Sequence, residues 1–372
     1  MKHIILLLLL FYTSTQAKYL DNHSCKECHE KIYEEYQSSF HAKGYFDSTL
    51  HQKIADKVST KTYVCASCHM PMADNIEALI SGEARPDASN TTNTDAVSCY
   101  FCHTIAYVQK AHTFNINTPA KQAKGYKPTL YGRLTNPDES DQHSSTSTNP
   151  LYAKKVCMGC HSHKLNDNNV TIFRAMKSEQ NSLGCIRCHM PTVVGGVEKV
   201  DKRARGKHVS HRFLGIHDEA FRKTGVDMNL TVLAEKLTVT LHNKMEHPLI
   251  IQPARAKFLK IEIHRADKVI WKNYTKSPNE DKQGYFAYAF KEKGKEVIIP
   301  AHATEGTVHN LDTNETKEIS YTNIPPLQKG DEVIVGLYVR LAKNECTKVI
   351  NLSRNPSLTR EERIKELIFI QD

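Results

Sequence analysis

The sequence predicts an α+β protein with two unlike regions: a loop-rich N-terminal region with short helices, and an antiparallel β-sandwich that ends in a C-terminal helix. Three observations support this prediction. One five-residue Cys and His pattern occurs five times, always before residue 190. Apolar residues alternate with period two beyond about residue 227, and a helix-capping pattern precedes the C-terminus. We expect a leader segment at 1–17 and domains at 18–226 and 227–372.

The repeated pattern is Cys-x-x-Cys-His. Its five copies are Cys25–His29, Cys65–His69, Cys99–His103, Cys157–His161 and Cys185–His189. Random placement of the 11 cysteines and 20 histidines would give about 0.02 copies in a chain of 372 residues. Composition alone therefore does not explain the repeats, and a chemical function must.

Two cysteines three residues apart lie on one side of a helical turn, and the following histidine projects from the same turn. Such a unit can bind one haem, since the thiols add to its two vinyl groups and the imidazole binds its iron. We interpret each copy as the attachment site of one haem c, five in all. The predicted thioether residues are Cys25, Cys28, Cys65, Cys68, Cys99, Cys102, Cys157, Cys160, Cys185 and Cys188. The predicted proximal iron ligands are His29, His69, His103, His161 and His189.

Zinc binding and disulfide formation are the alternatives. A closed zinc site needs two Cys-x-x-Cys pairs, or one pair with two histidines, and five pairs that each carry one histidine do not divide in this way. Disulfides suit an oxidising compartment but leave the five histidines without a role. Both alternatives explain less of the pattern than haem attachment does.

A second axial ligand for each iron can come from nine further histidines of the N-terminal region. These are His23, His41, His51, His112, His143, His163, His208, His211 and His217. His41 stands twelve residues after the first motif, so we expect it to bind the iron of a neighbouring haem. His247 precedes a proline, and we interpret it as a loop histidine, with an interdomain haem contact or a distal ligand as the alternative.

Three segments resemble the cytochrome c554 family and related multihaem proteins: HSCKECHEKIYEEYQSSFHAKGY (His23–Tyr45), the stretch Val156–Pro191, and SHRFLGIHD (Ser210–Asp218). The resemblance implies a haem-packed multihaem cytochrome c domain. It favours His41 and His211 as distal ligands, followed by His112, His143 and His217.

The resemblance also has limits. The c554 type carries four haems and this chain has five motifs, so the order of haems does not transfer. Pentahaem nitrite reductases, a second comparison, replace one proximal histidine by lysine, whereas all five motifs here end in histidine.

The first residues have the features of a secretory signal peptide. Lys2 precedes the apolar run 4–12, and small residues end the segment at Ala17. We expect a periplasmic or secreted protein. It should not be an integral membrane protein, since no later stretch approaches the ~18 apolar residues of a membrane span. The formal net charge is +9, but no basic low-complexity arm is present, so no nucleic-acid partner is predicted.

Amphipathic periodicity is scarce in the N-terminal region, which predicts that the haems themselves form its core. Short helices are expected at Cys25–Ser38 and Ile172–Asn181.

In the C-terminal region about seven strands are expected, for example around Leu237, Leu259 and Val335, and Leu237–Ile263 resembles the β domain that follows the haems in some related proteins. Cys346 is predicted to be a buried thiol. A Thr359-x-x-Glu362 capping box predicts the last helix.

These features favour an electron carrier that accepts electrons from a donor dehydrogenase or quinol-linked cytochrome and passes them to a terminal reductase or external acceptor. A multihaem reductase or oxidase of a small nitrogen or sulfur compound is the first alternative, with an open iron near Arg203, Arg205 and Lys207. A protomer of a cytochrome filament, assembled through haem stacking, is the second. No catalytic residue is assigned, and whether the chain is an enzyme stays open.

Overall fold

A computed structural model describes residues 19–122, 126–175, 184–195, 205–233 and 235–372 of the chain. The signal peptide expected at 1–17 lies outside these residues. The described residues combine short helices with mostly antiparallel sheets, as the sequence predicted. No helix among them is long and apolar enough to span a bilayer.

Short helices provide most of the regular structure before residue 226. They are α1 (Asn22–Lys26), α2 (Glu30–Gln37), α3 (Thr49–Val58), α4 (Ala66–His69), α5 (Ile76–Ser81), α6 (Thr91–Thr94), α7 (Cys99–Thr104), α8 (Leu151–Lys154), α9 (Cys185–His189) and α10 (Glu219–Arg222). Side-chain caps begin several of them: Asp21 accepts a hydrogen bond from the Ser24 amide (2.7 Å), and Ser98 accepts one from the Phe101 amide (3.1 Å). The helices are too short to be stable alone, so tertiary contacts must hold them.

Four two-stranded sheets connect these helices. Three are antiparallel, and the pair β3–β4 is parallel. Their strands are β1 (Ile105–Gln109) with β2 (Ile116–Pro119), β3 (Thr129–Tyr131) with β4 (Ser144–Thr146), β5 (His163–Leu165) with β6 (Thr171–Arg174), and β7 (Thr192–Val194) with β8 (Lys207–Val209).

Two helix predictions for this region need correction. The helix expected at Cys25–Ser38 is divided into α1 and α2, because the backbone of His29 (φ −114°, ψ 45°) is not helical. The helix expected at Ile172–Asn181 does not begin where predicted, because Thr171–Arg174 is a strand paired with β5. Its β-branched and aromatic residues fit a pleated sheet. The remainder of that predicted helix, from residue 176 on, lies outside the described residues.

Two antiparallel sheets form the C-terminal region. The first contains β9 (Val226–Leu233), β10 (Lys236–Asn243) and β16 (Thr316–Thr322), in the order β16-β10-β9. The second contains β11 (Ala256–Arg265), β12 (Lys268–Lys272), β13 (Tyr285–Glu292), β14 (Lys295–Val297), β15 (Glu305–His309), β17 (Glu332–Arg340) and β18 (Glu362–Ile370). Ten strands are therefore described where about seven were expected.

One hydrophobic core joins the two sheets. Leu237, Val239 and Leu241 of β10 are fully buried, and so are Ile261 of β11 and Val335 of β17, which lie opposite each other. This is the alternation that the sequence predicted. Two short helices, α11 (Asn344–Val349) and α12 (Pro356–Thr359), follow β17. Cys346 in α11 is 2% exposed, which confirms the predicted buried thiol.

The predicted C-terminal helix is wrong, because Glu362–Ile370 forms strand β18 and pairs with β17 over the length of both strands. Ile364, Leu367 and Phe369 face the core of the two sheets. The register between β18 and β17 is irregular at Ile364, so the next core-facing residue is Leu367, three positions later rather than two. A spacing of three residues is typical of a helix, which explains the wrong prediction. The helix that does form, α12, is capped by Asn355 and ends before the strand begins.

The two regions contact each other through buried polar groups. The Asn166 side-chain amide donates to the backbone carbonyls of Pro300 (2.9 Å) and Ala303 (2.8 Å). Val170 and Ile216 of the N-terminal region pack against the core of the two sheets. The wall of the candidate site described below is built from both regions.

Candidate haem-binding site

Each of the five Cys-x-x-Cys-His motifs forms a single helical turn. The histidine amide donates to the carbonyl of the first cysteine at His29 (2.9 Å), His69 (3.0 Å) and His161 (2.9 Å). The third and fifth motifs lie within α7 and α9. This turn brings the two thiols and the imidazole of each motif onto one side, which is the arrangement that attachment of a haem requires.

All five motifs face one continuous cavity of about 2370 Å³. It is lined by all ten motif cysteines and all five motif histidines. A pocket for one small molecule measures about 300–1,000 Å³, so this cavity is large enough for several ligands of that size. Apolar side chains of both regions, such as Phe213 and Leu249, complete its wall. These residues fit a set of covalently bound haems.

Thiols of different motifs are in contact inside this cavity. Each of three thiol pairs is close enough for one thiol to shift the pKa of the other: Cys25 with Cys99, Cys68 with Cys160, and Cys157 with Cys185. The first motif is therefore next to the third, the second next to the fourth, and the fourth next to the fifth.

The charge of Cys102 in the third motif also raises the pKa of Cys157 and Cys160 in the fourth, after the larger effects of hydrogen bonding and burial. The third and fourth motifs are thus neighbours as well. The five attachment sites form one connected array.

The proximal histidines have second histidine rings nearby. Two imidazoles that bind one metal ion from opposite sides have ring centroids about 6 Å apart, because a metal–nitrogen bond to histidine is about 2 Å long and the ring centre lies about 1 Å further. Four histidine pairs have this spacing. They are His29–His143 (6.2 Å), His103–His211 (6.2 Å), His161–His41 (5.9 Å) and His189–His247 (6.3 Å).

Backbone carbonyls orient both rings of the pair His103–His211. His103 Nδ1 lies 2.7 Å from the Tyr131 carbonyl oxygen, and His211 Nδ1 lies 2.9 Å from that of Val209. A carbonyl accepts only from a protonated nitrogen, so each neutral ring keeps the lone pair on Nε2 available as a ligand. Burial lowers the pKa of His103, and it lowers that of His211 to about 4, which keeps both rings neutral.

The pair His189–His247 is oriented in the same way. His189 Nδ1 lies 2.5 Å from the Leu214 carbonyl oxygen, and His247 Nδ1 lies 2.9 Å from that of Pro248. The two rings are tilted by only 21°. The pKa of His247 is lowered to about 4, mainly by burial, and the charge of Lys257 contributes to this shift.

His41 has a buried nitrogen with no protein partner. Its Nδ1 lies in the interior, and no hydrogen bond reaches it from the described residues. The pKa of His41 is lowered to about 3, mainly by burial and to a smaller extent by the charges of His161 and His189. The α2 helix and the turn after it carry His41 across to the fourth motif, where its ring lies 5.9 Å from that of His161.

The second motif differs from the other four. The rings of His69 and His51 are stacked with centroids 3.7 Å apart, which leaves no room for a metal ion between them. His51 Nε2 lies 2.8 Å from the Tyr63 hydroxyl. Burial lowers the pKa of both histidines, and the charge of Lys164 adds to this effect, so a cation lies near the second motif.

Two predicted distal candidates lie elsewhere. His112 is exposed, and its Nε2 is 2.9 Å from Asn169 Oδ1. His217 stacks on Phe40 with centroids 3.8 Å apart. His51 and His247, which occupy positions next to proximal histidines, were not selected from the sequence. The His-Pro pair in a segment resembling the β domain was the one available signal for His247.

Of the basic residues considered for an open iron, the structure describes Arg205 and Lys207, which both line the cavity. Arg203 lies outside the described residues. Arg205 pairs with Asp138 (3.6 Å) and donates to the Asn136 carbonyl (2.9 Å). Lys207 lines the cavity as part of β8.

The described residues contain no group of three or more His, Cys, Asp or Glu side chains arranged to hold a bare metal ion. None of the eleven cysteines forms a disulfide. Pairs of imidazoles around a large cavity, by contrast, are what haem binding needs.

Comparisons with known proteins agree with this site. The family model for cytochrome c554 and c-prime matches residues 24–104, which confirms the resemblance to that family in the part of the chain that holds the first three motifs. The crystal structure of a penta-haem cytochrome c552 from Thermochromatium tepidum is similar to this chain, with a TM-score of 0.75 and 22% sequence identity over 95% of this chain and 99% of that one. The two chains therefore share a fold. No curated protein matches the sequence significantly.

Proposed function

We propose that this chain, a multihaem c-type cytochrome with haem c as its cofactor, is a periplasmic electron carrier with five covalently attached haems. Its partners would be a donor dehydrogenase or quinol-linked cytochrome and a terminal reductase or external acceptor. Bound haem c supplies an iron that exchanges one electron. The chain supplies the attachment, the axial ligands and a water-poor environment.

The observation that carries the proposal is a second histidine ring, at the spacing of two ligands of one iron, beside the motif histidine of four of the five motifs. We assign His143, His211, His41 and His247 as the distal ligands at the first, third, fourth and fifth motifs, on the ring spacings of 5.9–6.3 Å. Iron with two protein ligands has no position for a substrate, which favours electron transfer over catalysis.

The residues around these ligands support the same function. Carbonyls fix the rings of His103, His211, His189 and His247, so the ligands need little movement when the charge at the site changes. The proximity of thiols of different motifs supports an array of neighbouring haems. Four of the five motif histidines have a second ring of the same chain at ligand spacing, which argues against the filament alternative.

Intact mass and low-temperature EPR of the exported holoprotein test the proposal. We expect the added mass of five haems and signals from five low-spin irons. A high-spin iron that binds nitric oxide or hydroxylamine would contradict the carrier function, and a folded chain without haem mass would end the whole interpretation.

A second candidate function is favoured by the second motif alone. The stacked rings of His69 and His51, with Tyr63 and Lys164 close by, are consistent with an open iron that reduces or oxidises a small nitrogen or sulfur compound. The variant His51→Ala separates the two functions. If His51 is a distal ligand, the variant gains one high-spin signal; if the iron is already open, wild type has that signal and the variant does not change it.

A further inference from the structure

Two basic side chains of the C-terminal region line the haem-binding cavity. Arg255 ends the loop that carries His247, and Lys257 follows on β11. The Lys257 side chain is buried, and its Nζ donates to the Leu249 carbonyl at 2.6 Å. Arg255 and Lys257 therefore bring two basic groups to the wall near the fifth motif.

No carboxylate of the described residues pairs with Arg255 or Lys257. Within the described parts of the chain, no hydrogen bond or ion pair reaches the Arg255 guanidinium, and Lys257 has a carbonyl as its partner. Arg255 is half-buried where it lines the cavity, and removal from water lowers its pKa to about 10. Burial, followed by the charge of Arg255, lowers the pKa of Lys257 to about 7.

The neighbouring groups are also basic. The charge of Lys257 lowers the pKa of His247, and the charges of Arg255, Lys43 and Arg222 lower that of His217, in each case after the larger effect of burial. Of these cations, Arg222 has a carboxylate partner, Glu362, at 2.6 Å. The wall beside the fifth motif thus carries a net positive charge.

A buried charge without a partner costs several kcal/mol, so such groups are normally paired with an opposite charge. The planar guanidinium of arginine donates two parallel hydrogen bonds to a carboxylate, and a nearby ammonium adds a third donor. The cavity in front of both side chains has room for an anion.

We propose that Arg255 and Lys257 form an anion-binding site for a carboxylate beside the fifth motif. Two sources have this chemistry: a propionate of the haem held at Cys185–His189, which rests on the proposed function, and a free small carboxylate that enters from solvent. In both cases the C-terminal region provides the compensating charge and so influences the reduction potential of the haem bound between His189 and His247.

The test uses the exported holoprotein and the variants Arg255→Gln and Lys257→Met, with Arg255→Lys as the conservative change. Arg354→Gln is the matched control, since Arg354 is exposed and does not line the cavity. Midpoint potentials are measured by spectroelectrochemical titration at increasing acetate concentration. Trp271 fluorescence and the low-spin EPR signals verify that each variant is folded and loaded.

If the partner is a propionate, Arg255→Gln and Lys257→Met should lower one of the midpoint potentials. A nearby positive charge repels ferric iron more than ferrous iron, so removing that charge stabilises the oxidised state. Wild type then shows no response to acetate, and Arg255→Lys shifts the same potential less. A free anion predicts instead that one wild-type potential shifts saturably with acetate and that Arg255→Gln abolishes the response. Potentials unchanged in both charge-removing variants, with no response to acetate in wild type, would overturn the anion site.

Failure of the site and failure of the proposed function give different results. The EPR count of low-spin irons tests the carrier function in wild type. The potentials of the Arg255 and Lys257 variants test the anion site whether or not one iron elsewhere is open. If Arg255→Gln does not fold, Lys257→Met and Arg255→Lys still measure the same effect.

Discussion

The two regions of the molecule build their interiors from different materials. After residue 225, side chains of both sheets form one buried cluster that includes Leu237, Ile261, Phe286 and Val335, each at 0% exposure. Before it, the largest buried cluster of the described residues is confined to 45–79, and the five motifs surround a cavity of about 2370 Å³ instead. From this difference we expect the C-terminal region to fold on its own apolar side chains and the N-terminal region to depend on its cofactor.

The largest effect is expected when haem attachment is prevented altogether. The full chain without its leader, produced in the cytoplasm where haem c is not attached, should keep the two sheets folded and lose the structure of residues 19–225, because the cavity then lacks its contents. Hydrogen exchange followed by mass spectrometry measures this difference. Slow amide exchange in α3 of the apo-protein would show that the N-terminal region does not depend on haem.

A smaller effect follows from removing one distal ligand. His211→Ala should convert one of the low-spin irons to high spin, because the ring 6.2 Å from His103 is lost. Low-temperature EPR detects the change. His112→Ala is the matched control: its ring is exposed and bonded to Asn169, so the EPR spectrum should stay unchanged.

The distal ligand of the fifth motif, at the interface between the two regions, can be tested by comparing two histidine variants. His247→Ala should give one high-spin iron and His217→Ala none, since His247 lies 6.3 Å from His189 whereas His217 stacks on Phe40. EPR of the two variants, prepared in parallel, decides the assignment. The reverse result would place the distal ligand of the fifth motif on the loop before α10 rather than on the C-terminal region.

The core of the two sheets allows a third test. Ile261→Ala should reduce the free energy of unfolding of the C-terminal region by about 2–5 kcal/mol, because it leaves a cavity at a fully buried position of β11. Trp271, the one tryptophan of the sequence, packs against this core and reports unfolding by its fluorescence in guanidinium. Ile368→Ala, on the exposed face of β18, should change the free energy by less than about 0.5 kcal/mol. Loss of low-spin EPR signals in Ile261→Ala would indicate that the two regions are not independent.

The sequence predicted what depends on local spacing and missed what depends on long-range contacts. The five motifs and the alternation around Leu237 and Val335 are local patterns, and the structure has helical turns and strands there. Whether residues 362–370 form a helix or a strand depends on the free edge of β17, which local spacing does not reveal.

Distal histidines present the same difficulty on a larger scale. His51 and His247 reach their positions through folding of separate segments, and a histidine without a motif carries no local signal of its partner. His143 and His211 were candidates chosen by resemblance, and the structure places both next to proximal histidines.

The smallest effect concerns pH and again separates the two regions. Asp331, 1% exposed, accepts hydrogen bonds from Arg265 Nε (2.9 Å) and a guanidinium nitrogen (2.7 Å), and from the Gln328 amide. These contacts, the Arg265 hydrogen bonds first, lower the pKa of Asp331 from 3.8 to about 2. A carboxyl whose pKa is lower in the folded state stabilises the protein above pH 3.8 and loses that contribution as the pH falls through about 2.

Asp331→Asn should therefore remove part of the acid sensitivity of the C-terminal region. The guanidinium midpoint of Trp271 fluorescence should fall less in the variant than in wild type between pH 5 and pH 2. Asp227→Asn, which disrupts an exposed ion pair with Lys244, is the control and should follow wild type closely, because solvent screens that pair. Equal acid sensitivity of wild type and Asp331→Asn would show that acid acts first on the N-terminal region and that the two sheets unfold as a consequence.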